Sequence, residues 1–191
     1  MASKLDICNL ALVRLGSLPI LSLDDPVKRA QTLKKIFDLV RDIVLRDHPW
    51  NFAVRRDTLA QLAEAPAFGY SYAFQLPSGC LRVLGMVGLD ENIDTTLEYK
   101  LEDQKLLTNE SGAQIKYIIR VEDAGLFDSR FCSALASRLA AECAYQITAS
   151  AAMKKQMMDE YKDELSGARS IDAQEDTPEV AVSNPWIEAR I

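Results

Sequence analysis

Residues 26–62, PVKRAQTLKKIFDLVRDIVLRDHPWNFAVRRDTLAQL, contain the point at which the chain changes from helix to strand. Apolar residues in the first half recur at the helical spacing of three and four, and they are Leu33, Ile36, Phe37, Val40, Ile43 and Val44. We expect a helix that begins at Pro26, with Asp25 as its N-cap. The helix should end near Asp47, because Pro49 disfavours the helical conformation at His48.

A different pattern follows from Phe52 to Val121, where short runs of β-branched and aromatic residues alternate with turn residues. These runs are FAVRRDTLAQL (52–62), YSYAFQL (70–76), CLRVLGMVGL (80–89), TTLEYKL (95–101), QKLLTN (104–109) and AQIKYIIRV (113–121). Five or six strands of this kind predict a small antiparallel sheet or sandwich. Ile118 breaks the alternation of the last run, which indicates that the second face of this strand is also partly covered.

Helical patterns occupy the two flanks of this β region. We expect a first helix over Ser3–Gly16 with Ser3 as N-cap, a third over about 129–148 capped by Asp128, and a fourth over about 151–168. The fold class is therefore α+β. An antiparallel bundle of about four helices (1–52 and 122–170) carries an inserted β domain (53–121), and an extended arm (171–191) follows.

Composition excludes several classes of protein. The chain has 191 residues, of which 48% are hydrophobic and 26% charged, and this excludes a disordered chain. The net charge is −6, with the acidic excess in the C-terminal third, and this argues against a protein that grips nucleic acid with its whole surface. No apolar stretch approaches the roughly 20 residues of a membrane span, and the N-terminus lacks the apolar core of a signal peptide. We expect a soluble protein made in the cytosol.

Catalytic and cofactor motifs are absent from the sequence. The spacing of Cys8, Cys80, Cys132 and Cys143 matches no metal-site pattern, so we interpret them as buried free thiols. The single histidine, His48, is best explained as a cation at the end of a helix. No phosphate-binding glycine loop or nucleophile elbow occurs. We therefore expect no enzyme, no cofactor and no metal, with a His48/Cys80 hydrolase as the remote alternative.

Two aromatic regions remain to be explained. Trp50 and Phe52 stand between the second helix and the first strand, where they should anchor the helical part to the β part. The arm carries Val180, Val182, Trp186, Ile187 and Ile191 on a segment with little means of folding alone. A segment of this kind docks on its own body or on a neighbouring subunit.

HPWNFAVRRDTLAQL (48–62), followed by GYSYAFQLPSGCLRVL (69–84), resembles the tail tubular protein A family, the head-to-tail adaptors of short-tailed phages. The resemblance extends in order over nearly the full chain. It includes LALVRLGSLPILSLDD (10–25), the β stretch that closes at Tyr117–Val121, the aromatic and alanine-rich helix from Phe131, and the ending Asn184-Pro185-Trp186 with Ala189-Arg190.

The resemblance implies a non-enzymatic virion protein, made in the host cytoplasm. It would form a ring, twelve copies in the family, between the portal protein and the tail nozzle, and DNA would pass through the centre without sequence-specific binding. The residues that it places at the junction of bundle and β domain are Trp50, Asn51, Phe52, Leu76 and Pro77. The arm interface comprises Val180, Val182, Pro185, Trp186, Ile187 and Arg190.

Two other interpretations stay open. The alternatives to the adaptor are another phage neck or tail-completion protein, and a soluble binding module for an unknown ligand. The adaptor predicts assembly with a portal or nozzle protein, whereas the binding module predicts a stable monomer or dimer with a ligand pocket.

Overall fold

The computed structural model describes residues 2–87 and 97–175, with side chains described as far as Ile171. Its helices are α1 (Lys4–Arg14), α2 (Lys28–Asp47), α3 (Ser129–Thr148) and α4 (Ala151–Glu175). Its strands are β1 (Val54–Thr58), β2 (Tyr72–Gln75), β3 (Cys80–Val87), β4 (Tyr99–Glu102), β5 (Lys105–Thr108) and β6 (Gln114–Ile119). The predicted α+β class is confirmed. None of the helices in these described ranges is long and apolar enough to cross a bilayer.

Helix α3 is the centre of the helical core, because it packs against α1, α2 and α4. Its inward positions carry many small side chains, and the buried alanines are Ala134, Ala136, Ala140, Ala141 and Ala144. Small side chains let helix backbones approach closely, as the composition of this helix predicts. On α4, the helical spacing predicts an inward stripe of Met153, Met157, Tyr161 and Leu165, of which the last three are buried and Met153 is half-buried against the core.

Two of the predicted helix caps are confirmed. The Ser3 hydroxyl accepts a hydrogen bond from the N–H of Asp6, and the Asp6 carboxylate accepts one from the N–H of Ser3, which makes a capping box. Asp128 accepts from the N–H of Phe131 at 2.6 Å and caps α3. Both caps satisfy backbone donors that have no partner within the first turn of a helix.

The predicted start of α2 is wrong. The helix begins at Lys28, and its N-cap is Val27, whose side chain makes no capping hydrogen bond. Asp25 instead accepts from the N–H groups of Leu21 and Ser22, at 3.0 and 3.1 Å. The Asp25 carboxylate is thus hydrogen-bonded to the preceding loop and does not cap α2. The helix therefore begins after this loop, at Lys28.

Helix α4 is longer than predicted. It continues to Glu175, so residues 171–175 of the expected arm are helical. The segment Asp172–Glu175 holds no breaker, and Ala, Gln and Glu are good helix formers, so the helix can continue without an apolar stripe. The other residues of the expected arm, 176–191, lie outside the described residues, and so do all the predicted arm interface residues.

The strands form two antiparallel three-stranded sheets, with the orders β1-β6-β3 and β2-β5-β4. Phe74 and Leu106 of one sheet share a buried cluster with Val83, Met86 and Tyr117 of the other, so the insertion is a small sandwich. Strand β6 separates the two cores of the molecule. Tyr117 lies in the sandwich core, whereas Ile118 is fully buried in the helical core, which confirms that the second face of this strand is covered.

Candidate functional site

Trp50 joins the helical core to the start of the β domain. Its side chain is 2% exposed and belongs to the helical core. The indole Nε1–H donates to the carbonyl oxygen of Val44 at 2.9 Å, within the last turn of α2. The ring lies edge-on to Phe131 of α3, with centroids 5.2 Å apart. Trp50 is therefore a core residue, as the sequence predicts.

Phe52 extends this contact into an aromatic cluster. Its ring lies 5.1 Å from that of Phe131 and 5.7 Å from that of Phe127. It is half-buried, and the neighbouring Asn51 is exposed in a short 3₁₀ turn that leads into β1. Edge-to-face aromatic pairs add about 0.5–1.5 kcal/mol each beyond area burial. The cluster thus holds the start of β1 against the N-terminus of α3.

Leu76 and Pro77 lie elsewhere in the β domain. They form the turn between β2 and β3, and Leu76 packs against the sandwich core rather than the helical core. The Leu76 N–H donates to the carbonyl oxygen of Gln104 at 3.1 Å, which ties this turn to the β4–β5 hairpin. The resemblance places them at the junction with Trp50, but Leu76 instead packs in the sandwich core between the two sheets.

The β-domain side of the junction is polar, and no pattern in the sequence indicates it. Arg120, just after β6, donates from Nε to Asp42 of α2 at 2.8 Å. Asp42 also accepts from Arg41, at 3.0 and 2.8 Å, and Arg41 donates to Asp38 at 2.9 Å. The Arg41 side chain is almost fully buried, although its place on the charged face of α2 predicts exposure. Nothing in the spacing of charges along α2 distinguishes this arginine from its exposed neighbours.

A second polar cluster holds α1 against α3 and α4. The Arg14 guanidinium donates to the carbonyl oxygen of Ser133 at 3.0 Å and to the hydroxyl groups of Ser133 and Ser137. It also pairs with Glu160 and Glu164 of α4, at 3.4 and 3.6 Å. These contacts join three helices at one side chain, so the end of α1 is held in a defined position.

An exposed apolar surface lies beside this end of α1. We call it the N-terminal apolar surface, and it consists of Leu10 and Val13 on α1 with Leu18 and Leu21 in the loop that follows. Val13 is 62% exposed, Leu18 73% and Leu21 92%. Exposed apolar side chains that are close together are typical of an interface, and these four lie within twelve positions of one another at the end of one helix and in its loop.

The loop that carries this surface is ordered by specific hydrogen bonds. The side-chain amide of Asn9 donates to the carbonyl oxygen of Ile20 at 3.0 Å and accepts from the N–H of Ile20 at 2.9 Å. Ile20 itself is buried. On the far side, the Asp25 carboxylate fixes Leu21 and Ser22. Leu18 and Leu21 flank the buried Ile20, so these two exposed side chains are attached to an ordered backbone.

A groove lies where the aromatic cluster meets the end of α4. Its volume is about 360 Å³, and its lining is partly apolar and partly polar: Trp50, Asn51, Phe52, Asp128, Ser129, Arg130, Ala168 and Ile171. The Arg130 side chain is exposed, and its guanidinium lies close to Gly167. In the described part of the chain, Arg130 makes no ion pair.

The thiols do not form a nucleophilic site. Burial raises the pKa of Cys8 and of Cys143 to about 12, and it also raises the pKa of Cys80 and Cys132. All four are free thiols, as predicted, and Cys80 and Cys132 are half-buried rather than buried. Because the reactive form is the thiolate, these cysteines are poor nucleophiles at neutral pH.

His48 is a core residue. It ends α2 as its C-cap, and its ring lies edge-on to Trp50, with centroids 4.8 Å apart. Only 3% of its surface is exposed. Within residues 2–87 and 97–175, no three His, Cys, Asp or Glu side chains gather into a cluster that would hold a metal ion.

The candidate binding features of the described surface are thus the N-terminal apolar surface and the groove beside the aromatic cluster. Comparison with known proteins adds no name to them. No protein-family model matches the sequence, and no curated protein matches it.

Proposed function

We propose that the chain is a structural head-to-tail adaptor of a phage or prophage virion. It forms a ring, with twelve copies as the expected number, between the portal protein and the tail nozzle, and DNA passes through the centre. The proposal combines the resemblance of residues 10–84 and of the C-terminal ending with the surface features of the bundle. The protein works by binding other subunits and carries out no reaction.

The N-terminal apolar surface is the observation that carries this proposal. Full burial of an exposed leucine contributes about 1.5–3 kcal/mol, so Leu18 and Leu21 contribute most to association, and the partly buried Leu10 and Val13 contribute less. Their loop is already ordered, and therefore little conformational entropy is lost when a partner binds. A surface that is both apolar and preformed suits a permanent assembly.

A ring also requires a second, different surface on each subunit, because its contacts run head to tail. The apolar residues of the C-terminal arm, with Trp186 as the proposed anchor, supply a candidate for it, since aromatic anchors dominate interface energies. Replacement of Trp186 by Ala should then reduce assembly and leave monomer folding nearly intact. Unchanged ring formation by this variant would remove the arm from the proposed interface.

The acidic charge of the chain fits the passage of DNA. Binding to DNA depends on clustered cations that release counterions from the phosphates. A net charge of −6, with 13 acidic against 7 basic residues over 122–191, gives no such cluster in sequence. An acidic inner wall would repel the phosphates and let the duplex slide.

The test is the mass of the protein alone and after mixing with the portal ring of the same particle, measured by native mass spectrometry or light scattering. We expect a defined larger complex in which this chain is present in ring stoichiometry. Leu18→Asp combined with Leu21→Asp should weaken complex formation by at least about 100-fold, because two exposed leucines lose their burial.

Leu39→Asp is the matched control, since Leu39 is 66% exposed on α2 and lies outside the N-terminal apolar surface. This variant should assemble normally. A chain that binds the nozzle or another tail component but not the portal would instead be a different neck protein. A chain that stays a monomer or dimer with every particle protein would contradict the adaptor function and favour a binding module.

A further inference from the structure

The sheet β1-β6-β3 has one face that the helical core covers only at one end. Ile115 and Tyr117 of β6 lie in the sandwich core, so Lys116 between them points to the opposite face of the sheet. Ile118, on the same face as Lys116, is fully buried in the helical core. Lys116 itself is exposed. The helical core thus ends between Ile118 and Lys116.

Three cations meet on this face. Arg56 of β1 lies directly opposite Lys116, and Arg82 of β3 lies opposite Ile118. All three side chains are exposed. We call Arg56, Arg82 and Lys116 the basic sheet face. The three residues are distant in the sequence, and the pairing of the strands brings them together.

The stability of the sheet does not explain the pair of Arg56 and Lys116. Residues directly opposite each other in an antiparallel pair have Cβ atoms about 4.5–5.5 Å apart, and like charges at that distance destabilise the pairing. Arg82 donates to the carbonyl oxygen of Arg46 at 3.1 Å, at the end of α2. A bound anion would relieve the repulsion, because it would contact both cations.

The carboxylates of neighbouring elements do not neutralise this face. Asp57 follows Arg56, but it lies on the sandwich side of β1. Asp42 of α2 accepts from Arg41 and from Arg120. Among the residues that the structure describes, none of the three cations of the basic sheet face makes an ion pair. The face is therefore positive in a chain whose net charge is −6.

Neutral hydrogen-bond donors extend the basic sheet face. Thr58 and Gln114 lie directly opposite each other, two residues beyond Arg56 and Lys116 on the same face. Gly85 lies opposite Lys116 on β3, and no atom from elsewhere in the described chain comes within 4 Å of the position that a Cβ would take there. Arginine, lysine, threonine and glutamine side chains are groups that bind phosphate oxygens. The composition of the face thus matches a phosphate-binding surface.

The same face lacks the features that are typical of a protein interface. The centre of a protein–protein interface is apolar, rich in aromatic residues and poor in lysine. None of the large apolar side chains that are exposed in the described ranges lies on this face. Interfaces with nucleic acid are more polar and much more positively charged. Charge and composition together favour phosphates over a protein surface.

We propose that the basic sheet face binds the phosphate backbone of duplex DNA without reading its sequence. Three cations give a weak contact, and contacts with phosphates let a protein slide along the duplex. A ring would present the face once in each copy, so the weak contacts would add through multivalency. The inference rests on the proposed function for this setting, whereas DNA binding by the isolated chain requires no assembly.

Fluorescence anisotropy of a labelled duplex, titrated with the full chain, tests the proposal. Release of counterions from three phosphates gives a slope of about −2.7 for log K against log salt concentration, so binding should be about 40-fold weaker at 200 mM than at 50 mM salt. Two duplexes of unrelated sequence should bind equally. The absence of binding at about 25 mM salt and about 200 μM chain would overturn the proposal.

Arg56→Gln and Lys116→Gln should each weaken binding and reduce the salt slope by about 1, because each variant contacts one phosphate fewer. Lys155→Gln is the matched control, since Lys155 is exposed on α4 and lies outside the basic sheet face. It should leave affinity and slope unchanged. Equal effects of Lys116→Gln and Lys155→Gln would overturn the proposal. The urea midpoint of Lys116→Gln should equal or exceed that of the wild type, because the variant removes a like-charge repulsion.

A further variant tests whether the chain's own carboxylates occupy the face. Residues 88–96 follow β3 and carry Asp90, Glu91 and Asp94. The triple variant Asp90→Asn/Glu91→Gln/Asp94→Asn should bind DNA with the same salt slope as the wild type. DNA binding by this variant and not by the wild type would overturn the proposal.

DNA binding and portal binding are measured separately, so the two proposals can fail separately. A chain that assembles with the portal but binds no DNA keeps the adaptor function and loses this inference. A chain that binds DNA through Lys116 but joins no particle protein keeps this inference and loses the adaptor function. If Lys116→Gln weakens portal binding in a chain that binds no DNA, the face is a protein interface and the proposal is overturned.

Discussion

The indole Nε1–H of Trp50 and the carbonyl oxygen of Val44 are 2.9 Å apart, and both groups are buried. Val44 lies in the last turn of α2, where backbone carbonyls have no partner further along the helix. The side chain that anchors the junction thus also satisfies the end of the helix that leads to it. This one contact makes the end of α2 and the start of the β domain depend on each other.

Replacement of Trp50 separates these two roles. Trp50→Ala should lower the free energy of unfolding by about 3–5 kcal/mol, because it removes both the buried ring and the hydrogen bond. Trp50→Phe keeps an aromatic ring and leaves the Val44 carbonyl without this donor, at a cost of about 1–3 kcal/mol. Urea denaturation followed by circular dichroism measures both values. A loss below about 1 kcal/mol for Trp50→Ala would contradict the core role.

Asp42 and Arg120 should differ strongly in their contribution to stability, although they form one ion pair. Asp42→Ala leaves the buried Arg41 guanidinium with only Asp38 and should cost about 3 kcal/mol. Arg120→Ala removes a half-exposed cation and should cost less than about 1 kcal/mol. Denaturation midpoints of the two variants test this order. Equal losses would mean that Asp42 serves mainly to hold the β domain through Arg120.

The sequence predicts the fold where one local signal dominates. The helical spacing over 33–44, with Pro49 after it, places the end of α2 at Asp47, and Asp128 marks the start of α3. Prediction from the sequence fails where two sets of backbone N–H groups compete for one side-chain acceptor. Asp25 is a good N-cap by type, but the N–H groups of Leu21 and Ser22 take its carboxylate.

The candidate surfaces were harder to predict, because they depend on residues distant in sequence. The position of Trp50 between helix and strand predicts its role as an anchor. Arg41 lies where α2 contacts Arg120, which is 79 positions later in the sequence. No local sequence pattern predicts a contact over that separation. Likewise, Leu18 and Leu21 look like ordinary loop leucines until Asn9 fixes the backbone between them.

Two residues with positive φ offer sites for stabilisation. Ala149 ends α3 at φ 56°, and Gln104 has φ 57° in the β4–β5 turn. The left-handed conformation costs an L-residue about 1–2 kcal/mol, and glycine avoids this cost. Glycine also makes the unfolded chain more flexible, which offsets about 0.5–1 kcal/mol of the stabilisation. Ala149→Gly and Gln104→Gly should each raise the free energy of unfolding by about 0.5–1 kcal/mol.

Gln156→Gly is the control for these substitutions, because Gln156 is exposed inside α4 with ordinary helical geometry. It should destabilise the protein by about 0.5–1 kcal/mol, since glycine is a poor helix former. Thermal or urea denaturation gives all three values. If Ala149→Gly and Gln156→Gly change stability in the same direction, the backbone conformation at Ala149 does not explain the result.

The buried thiols should make the protein sensitive to alkali. Burial, and then the neighbouring charge of Cys143, raises the pKa of Cys8 to about 12 from an ordinary value of 9.0, and burial raises that of Cys143 to about 12. The unfolded chain therefore loses these protons first. Stability is fully present below pH 9 and falls as the pH rises from 9 towards 12, by about 1.4 kcal/mol per pH unit for each thiol.

Urea denaturation at a series of pH values between 8 and 11 measures this fall. The double variant Cys8→Ala/Cys143→Ala should be less stable at pH 8, because it loses buried volume, but its stability should decline less steeply above pH 9. A residual slope is expected from Tyr161, whose pKa is also raised by burial and by its 2.6 Å hydrogen bond to Asp47. If the double variant loses stability as steeply as the wild type, the two thiols are not the groups that titrate on unfolding.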